Sequence, residues 1–353
     1  MRQIRQIRQI RQIRQVRLNR RPATAVACLT ALLLALSATG CGTDARQASA
    51  GFSNPVVPGL WTPDRMAAAE SPDRAVANDL GADAGTTDPE PAAVPAQAEN
   101  TPYHDNAAVV GKIFFDSADG PAVCSGTAVQ DPAAPGASGL VWTAGHCVHG
   151  GKGGDWFRNI VFVPSYNNQG LTGGARRTAT QDQVAPFGTW WADAAETSPQ
   201  WISEGTASGG GGSPFDFAVL HVKPQRGTAS LQETIGQAAP VWFNAPSATR
   251  IPAMAAWGYP AARPFDGERV FTCQDRPGRL SIRADQPSLY RIGCTMTGGA
   301  SGGGWFARNP DSGETALVSN TSIGPADNIW LAGPRLGEGA KAVYEAVSDR
   351  AAL

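Results

Sequence analysis

The chain has 353 residues and an apolar fraction of 42%, which is enough for a buried core and excludes disorder throughout. Its formal charge of −1 conceals an asymmetry. Residues 1–41 carry eight arginines and no acidic residue, so the remainder of the chain has 21 basic and 30 acidic residues. Since this remainder has no clustered basic face, the chain is not expected to bind nucleic acid.

The N-terminus has the pattern of an export signal. Arginines recur every three residues up to Arg17, and the apolar stretch ATAVACLTALLLALSA follows at 23–38. These 16 residues are fewer than the roughly 20 that a helix needs to span a bilayer. We therefore interpret 1–40 as a signal peptide, with a retained membrane anchor as the alternative.

Small residues precede Cys41 in LSATGC, as they do at the processing sites of bacterial lipoproteins. The same residues suit ordinary signal peptidase cleavage, which is the alternative. Either route exports the protein. The first leaves it attached through a lipidated Cys41 to the outer face of the bacterial cell membrane, and the second releases it as an extracellular protein.

Residues 41–104 are rich in alanine and proline. From residue 42 onward they contain 14 alanines, eight prolines and three basic against nine acidic residues, with little apolar periodicity. This composition is typical of a disordered tether or a pro-segment. We predict that the folded domain occupies 105–353.

The composition changes at NAAVVGKIFF, residues 106–115, where short segments rich in β-branched and aromatic residues begin. Turn-forming residues interrupt these segments up to the C-terminal region, which predicts an all-β fold of one large barrel or two barrels side by side. Val343 and Val347 lie four residues apart near the end of the chain. This spacing predicts a short C-terminal helix on the outside of the β structure.

Four cysteines follow the N-terminal region, at positions 124, 147, 273 and 294. An even number of cysteines in an exported chain indicates disulfides, and four cysteines allow three connectivities. A zinc site is not expected, because the cysteines are separated by 23, 126 and 21 residues, which gives no Cys-x-x-Cys pair, and the chain has no His-x3-His pair. No metal and no other cofactor is predicted.

The segment CTMTGGASGGGW, residues 294–305, places Ser301 among glycines. A serine hydroxyl becomes a strong nucleophile when a base removes its proton, and that base is most often a histidine held by a carboxylate. All four histidines precede Ser301, whereas the histidine of an α/β-hydrolase follows the serine of its G-x-S-x-G motif. The order of these residues argues against an esterase or lipase of that fold.

His146 and Asp216 are the best candidate partners for Ser301. His146 ends the apolar run in LVWTAGHCV, beside Cys147, where a disulfide would hold the imidazole loop. Asp216 opens the apolar run FAVL, and a carboxylate at the edge of such a buried strand is costly unless it is hydrogen-bonded. The alternatives to Asp216 are Asp155, Asp182 and Asp193, which lie among polar and glycine-rich residues or beside tryptophans.

Three motifs in the order His, Asp, Ser resemble the signatures of chymotrypsin-like (trypsin-like) serine peptidases, most closely the bacterial branch that includes the glutamyl endopeptidases. The motifs are TAGHC at 143–147, DFAVL at 216–220 and GGASGG at 298–303. The resemblance implies two antiparallel six-stranded β-barrels with the active-site cleft between them. It also implies a serine endopeptidase that cleaves peptide bonds through an acyl-enzyme.

The resemblance further assigns individual residues. It implies a triad of His146, Asp216 and Ser301, and an oxyanion hole made by the backbone N–H groups of Gly299 and Ser301. It implies the disulfides Cys124–Cys147 and Cys273–Cys294. The expected partners are protein or peptide substrates, and the protein is expected to be a monomer. Two alternatives to an active endopeptidase remain. One is a catalytically silent homologue that acts as a cell-surface binding protein, and the other is a cell-surface structural protein.

The resemblance assigns the specificity pocket to Thr295, Met296, Val318 and Ser319. Thr295 stands where members that prefer Arg or Lys have an aspartate, and Val318 precedes Ser319 where glutamate-specific members have a histidine. We therefore expect a neutral pocket of moderate size. Ala300 replaces the aspartate that captures the new N-terminus in trypsin-like zymogens, so activation by terminal insertion is not expected.

Overall fold

The computed structural model describes residues 51–72, 76 and 86–351 of the chain. The signal peptide predicted at 1–40 and the lipid anchor predicted at Cys41 lie outside these residues. Within the described ranges, no helix is both long enough and apolar enough to cross a bilayer.

We call residues 51–72, 76 and 86–98 the N-terminal strap. The elements of the strap and the helix that follows it are α1 (Pro63–Ala68), β1 (Gln97–Ala98) and α2 (Tyr103–Ala107).

The strap packs against the folded domain through a few large side chains. The Trp61 ring lies 5.5 Å from the Phe114 ring, and its Nε1 donates to the Asn159 carbonyl over 2.7 Å. Met66, on α1, is fully buried. The expectation of disorder over 41–104 is therefore corrected for the described residues. An average composition dominated by alanine and proline does not reveal isolated anchors of this kind.

A closed barrel of six antiparallel strands forms the first half of the domain. Its strands are β2 (Val110–Ser117), β3 (Gly120–Val129), β4 (Leu140–Thr143), β5 (Arg158–Pro164), β6 (Trp190–Thr197) and β7 (Ala218–Pro224). They pair in the order β2-β3-β4-β7-β6-β5. The short helices in and after the barrel are α3 (Gly173–Arg177), α4 (Gln181–Val184), α5 (Pro199–Glu204) and α6 (Leu231–Ile235).

Strand β2 is apolar on both faces, which explains its nearly continuous hydrophobic sequence. Ile113 and Phe115 belong to one core cluster, while Val110 and Phe114 belong to a second cluster that also contains Trp61. Because successive side chains of a strand point to opposite faces, the strap covers the face of β2 that the first cluster leaves open.

The second half of the domain contains seven strands in two antiparallel sheets. The strands are β8 (Met254–Gly258), β9 (Phe271–Asp275), β10 (Gly278–Leu280), β11 (Leu289–Gly293), β12 (Gly304–Arg308), β13 (Thr315–Asn320) and β14 (Trp330–Gly333). One sheet has the order β1-β9-β8-β12-β13 and the other β10-β11-β14. The all-β prediction is confirmed. Among the described residues, the second half forms these two sheets rather than one continuous hydrogen-bonded ring, and the strap supplies the edge strand β1.

The predicted C-terminal helix and disulfides are confirmed. Helix α7 (Glu338–Ala351) ends the described chain, and Val343 and Val347 pack in a cluster with Trp142 of β4. The two disulfides join Cys124 to Cys147 and Cys273 to Cys294.

A buried polar cluster joins the first barrel to the second half. Lys112 of β2 donates from Nζ to the Gly267 carbonyl over 2.8 Å. Next to it, Glu268 accepts from Arg176 Nε over 2.6 Å and from the Tyr166 hydroxyl over 3.0 Å. Burial lowers the pKa of Lys112 to about 8, against an ordinary value of 10.5, although the nearby Glu268 carboxylate raises it.

We expect the free energy of unfolding to rise with pH between about 8 and 10.5, and to rise less in Lys112→Met. The folded protein releases the Lys112 proton at a lower pH than the unfolded chain does, so the unfolded chain binds more protons in this window and stability increases with pH. Between pH 7 and pH 10, the titration of Lys112 should raise the free energy of unfolding by about 2 kcal/mol. Urea unfolding at pH 7 and pH 10 measures it. The exposed Lys152→Met is the control, and an equal rise in wild type and Lys112→Met would refute the assignment.

Candidate active site

His146, Asp216 and Ser301 line one cavity of about 420 Å³ between the first barrel and the second half of the domain. Their motifs are far apart in the sequence. His146 follows β4, Asp216 precedes β7 and Ser301 precedes β12. The fold therefore brings together the three side chains that the sequence analysis selected.

The Asp216 carboxylate holds His146 at two points. The Nδ1 atom of His146 lies 2.7 Å from Oδ2 of Asp216, and the backbone N–H of His146 donates to Oδ1 over 2.9 Å. The Asp216 side chain is only 1% exposed, while that of His146 is 15% exposed. Cys147 is bonded to Cys124 of β3. The turn that carries the imidazole is therefore held both by this disulfide and by the hydrogen bond from the His146 N–H to Asp216.

Two further residues orient Asp216, and the sequence analysis did not identify them. The Ser322 hydroxyl donates to Oδ2 of Asp216 over 2.6 Å. The Asn320 amide donates to the Asp216 carbonyl over 3.0 Å. The carboxylate thus accepts hydrogen bonds from the His146 backbone, the imidazole and the Ser322 hydroxyl at once.

Ser319, which the resemblance assigned to the specificity pocket, does not line the cavity. It is fully buried and its hydroxyl donates to the Pro334 carbonyl over 2.7 Å. The serine that lies beside Asp216 is Ser322, and Thr321 precedes it. The two serines are three residues apart, so in a continuous strand they point to opposite faces. The sequence LVSNTS, residues 317–322, does not by itself show which of the two serines faces Asp216.

The turn that carries Ser301 requires glycine at two positions. Gly299 has φ of +94° and Gly302 has φ of +76°, values in the region that favours glycine. A Cβ on Gly302 would also lie 2.1 Å from Oγ1 of Thr143. The glycine run is therefore an ordered turn, and Ser301 within it is 5% exposed.

Ser125 of β3 fastens this turn to the first barrel. Its backbone N–H donates to the Ser301 carbonyl over 2.7 Å, and its hydroxyl donates to the Gly299 carbonyl over 2.9 Å. Ser125 adjoins Cys124, whose disulfide holds the histidine loop. One short segment of β3 therefore positions both the turn that carries Ser301 and the loop that carries His146.

Of the four residues predicted for the specificity pocket, Met296 lines the cavity, whereas Thr295, Val318 and Ser319 do not. Val318 packs in the core of the second half. Thr295 faces the strap, because its Oγ1 accepts from the N–H of Ala96 over 2.9 Å. The structural reason is burial: Val318 and Ser319 are both fully buried in β13, and the strap covers Thr295.

The second-half wall of the cavity near Met296 is neutral. Besides Met296 and Ser301, the second-half residues that line the cavity are Ala262, Thr297, Gly298, Thr321, Ser322, Ile323, Gly324, Pro325, Ala326, Asn328 and Leu331. No Lys, Arg or Glu is among the described residues that line the cavity. A substrate group entering this side would meet hydroxyl, amide and apolar surface.

The solved structures that this chain resembles include two with about 30% sequence identity. The thermostable serine protease AL20 from an extremophilic microorganism is 31% identical with a TM-score of 0.55, over 69% of this chain and 98% of AL20. The protease Anisep from Arthrobacter nicotinovorans is 30% identical with a TM-score of 0.55, over 72% of this chain and 99% of Anisep.

A Glu endopeptidase in complex with MPD shares the fold, with 16% identity and a TM-score of 0.51 over 72% of this chain and 96% of that chain. No protein-family model and no curated protein sequence matches the chain.

Proposed function

Because this chain belongs to the chymotrypsin-like serine proteases, in the bacterial group related to the glutamyl endopeptidases, we propose that it is an exported serine endopeptidase. The proposal rests on one observation above all. The Asp216 carboxylate binds the Nδ1 side of the His146 imidazole, and His146 and Ser301 line the same cavity.

In the proposed reaction, Ser301 Oγ attacks the carbonyl carbon of the peptide bond. Nε2 of His146 takes the hydroxyl proton and then returns it to the nitrogen of the leaving amine as the C–N bond breaks. Asp216 holds the imidazole by Nδ1–H and stabilises the imidazolium. The backbone N–H groups of Gly299 and Ser301 stabilise the negative oxygen of the tetrahedral intermediate. Water then hydrolyses the acyl-enzyme by the same steps.

The proposed substrates are proteins or peptides with an uncharged side chain on the acyl side of the cleaved bond. This preference follows from the neutral wall near Met296, since a charged side chain would lose its hydration there without gaining an ion pair. We propose that the enzyme acts as a monomer and does not bind nucleic acid.

The export part of the proposal is supported by the two disulfides, because such bonds persist in oxidising compartments. The mass of the mature N-terminus distinguishes the two export routes. A diacylglycerol adduct on Cys41 indicates attachment to the outer face of the membrane, and an unmodified terminus indicates release.

Prolonged incubation with an alkyl fluorophosphonate tests the proposed function. We expect wild type to be labelled on one serine at the end point, because His146 activates the Ser301 hydroxyl, and Ser301→Ala to remain unlabelled. Digestion of casein then separates a peptidase from an esterase. Equal labelling of both proteins would contradict the assignment of Ser301. The absence of labelling in both would favour the catalytically silent homologue.

A further inference from the structure

The N-terminal strap reaches the cavity that contains Ser301. Ser71 and Pro72 line this cavity together with His146 and Ser301. Of the described residues on either side, Glu70 is hydrogen-bonded to β3 of the first barrel, and Val76 is hydrogen-bonded to Gly324, which lines the cavity.

Glu70 pairs with strand β3 of the first barrel. Its N–H donates to the Pro121 carbonyl over 3.1 Å, and its carbonyl accepts from the N–H of Val123 over 2.9 Å. These bonds form a parallel bridge to Ala122 of β3. They occupy backbone groups immediately before Cys124, whose disulfide anchors the histidine loop.

Val76 pairs with the second-half wall. Its N–H donates to the Gly324 carbonyl over 3.1 Å, and the residue forms a parallel bridge to Pro325. Gly324 and Pro325 both line the cavity. The Val76 side chain is 2% exposed and packs in a cluster with Ile323 and Trp330.

We propose that the strap is an intramolecular inhibitor that is held at the substrate cleft by its contacts with both halves of the domain and competes with substrate for this cleft. This inference rests on the proposed function. An extended peptide binds to exposed backbone N–H and C=O groups in a cleft, and Val76 already uses one such group, the Gly324 carbonyl, on the second-half wall. A segment of the same chain acts at an effective concentration on the order of 1 mM, so a free substrate has to compete with it.

The direction of the strap is opposite to that expected for a substrate. His146 has to protonate the leaving amine, so the leaving half of a substrate lies towards the first barrel. The acyl half, which comes first in a substrate, lies along the second-half wall near Met296. The strap contacts the first barrel with Glu70 before it contacts the second half with Val76. The order of these two contacts along the chain is therefore the reverse of the order proposed for a substrate that is cleaved.

Two variants test the proposal without altering the proposed triad or oxyanion hole. Glu70→Pro removes the N–H that donates to Pro121. Glu70 is exposed, and Ala69 before it has φ of −75° and ψ of 131°, which a residue before proline tolerates. Val76→Ala removes two methyl groups from the buried cluster on the opposite wall. The matched control is Val56→Ala, since Val56 belongs to the strap and is 52% exposed.

The experiment measures the initial rate of casein hydrolysis by the full chain, divided by the end-point fluorophosphonate labelling. We expect the double variant Glu70→Pro/Val76→Ala to be at least tenfold faster than wild type and Val56→Ala to be unchanged. The intact mass of the labelled protein should show an uncut chain. If all proteins are labelled and hydrolyse casein equally fast, the inhibitor proposal is overturned and the proposed function stands.

If no protein is labelled at the end point, the proposed function fails and the inhibitor proposal fails with it. Circular dichroism checks that each variant is folded. If the double variant is unfolded, the single variants decide, because they act on contacts with different halves of the domain. Faster hydrolysis in both supports the proposal, and an unchanged rate in either overturns it.

Discussion

His146→Ala is expected to lower kcat by about a million-fold, as is typical when the base or the nucleophile of a serine protease triad is removed. The physical reason is that the Ser301 hydroxyl then has no group to accept its proton during attack, and the leaving amine has no group to protonate it. The same loss is expected for Ser301→Ala. Because the two residues act as a unit, the double variant should lose no more than either single variant.

The chain contains a matched control for this prediction. Nδ1 of His221 lies 2.6 Å from Oδ1 of Asp193, so it also forms a histidine–carboxylate pair, but neither residue lines the cavity. His221→Ala should therefore leave kcat unchanged. The measurement is steady-state hydrolysis of a peptide that wild type cleaves. A loss of less than tenfold in His146→Ala, or an equal loss in His221→Ala, would refute the role proposed for His146.

Asp216→Asn is expected to lower kcat by about ten thousand-fold, with a much smaller change in KM. The Asp216 carboxylate accepts from the His146 backbone, the His146 ring and the Ser322 hydroxyl. An asparagine has one acceptor oxygen and two N–H donors, so it cannot accept all three hydrogen bonds. If the amide N–H of the asparagine faces Nδ1 of His146, it favours the imidazole tautomer that carries its proton on Nε2. Nε2 is then unable to accept the proton of Ser301.

Asp193→Asn is the matched control for Asp216→Asn, because it neutralises the carboxylate of the other pair. It should retain wild-type kcat. Thermal unfolding of both variants checks that they are folded, which matters because Asp216 is buried. A folded Asp216→Asn protein with unchanged kcat would show that the carboxylate does not orient the base, and a large rise in KM alone would point to a role in binding.

The sequence identified the residues whose local signals are strong. Alternating and continuous apolar segments predicted the β structure, and the spacing of Val343 and Val347 predicted α7. His146 and Asp216 were found because each stands at the end of a buried run, where a polar side chain needs a partner. The structure places them 2.7 Å apart. The glycines around Ser301 indicated a turn, and the positive φ of Gly299 and Gly302 gives the reason for them.

Only the tertiary structure showed which segments meet. It placed the Ser322 hydroxyl on Asp216, and the Ser125 hydroxyl on the turn that carries Ser301. It also placed the strap over Thr295 and along the cavity. These contacts join residues that are remote in the chain, and their hydroxyl and backbone groups are chemically the same as many others in the sequence. Hydrophobic periodicity and turn residues reflect the conformation of a few neighbouring positions, so they predict individual helices, strands and turns. Which of several similar hydroxyl or backbone groups contacts a given residue depends on how those helices and strands pack.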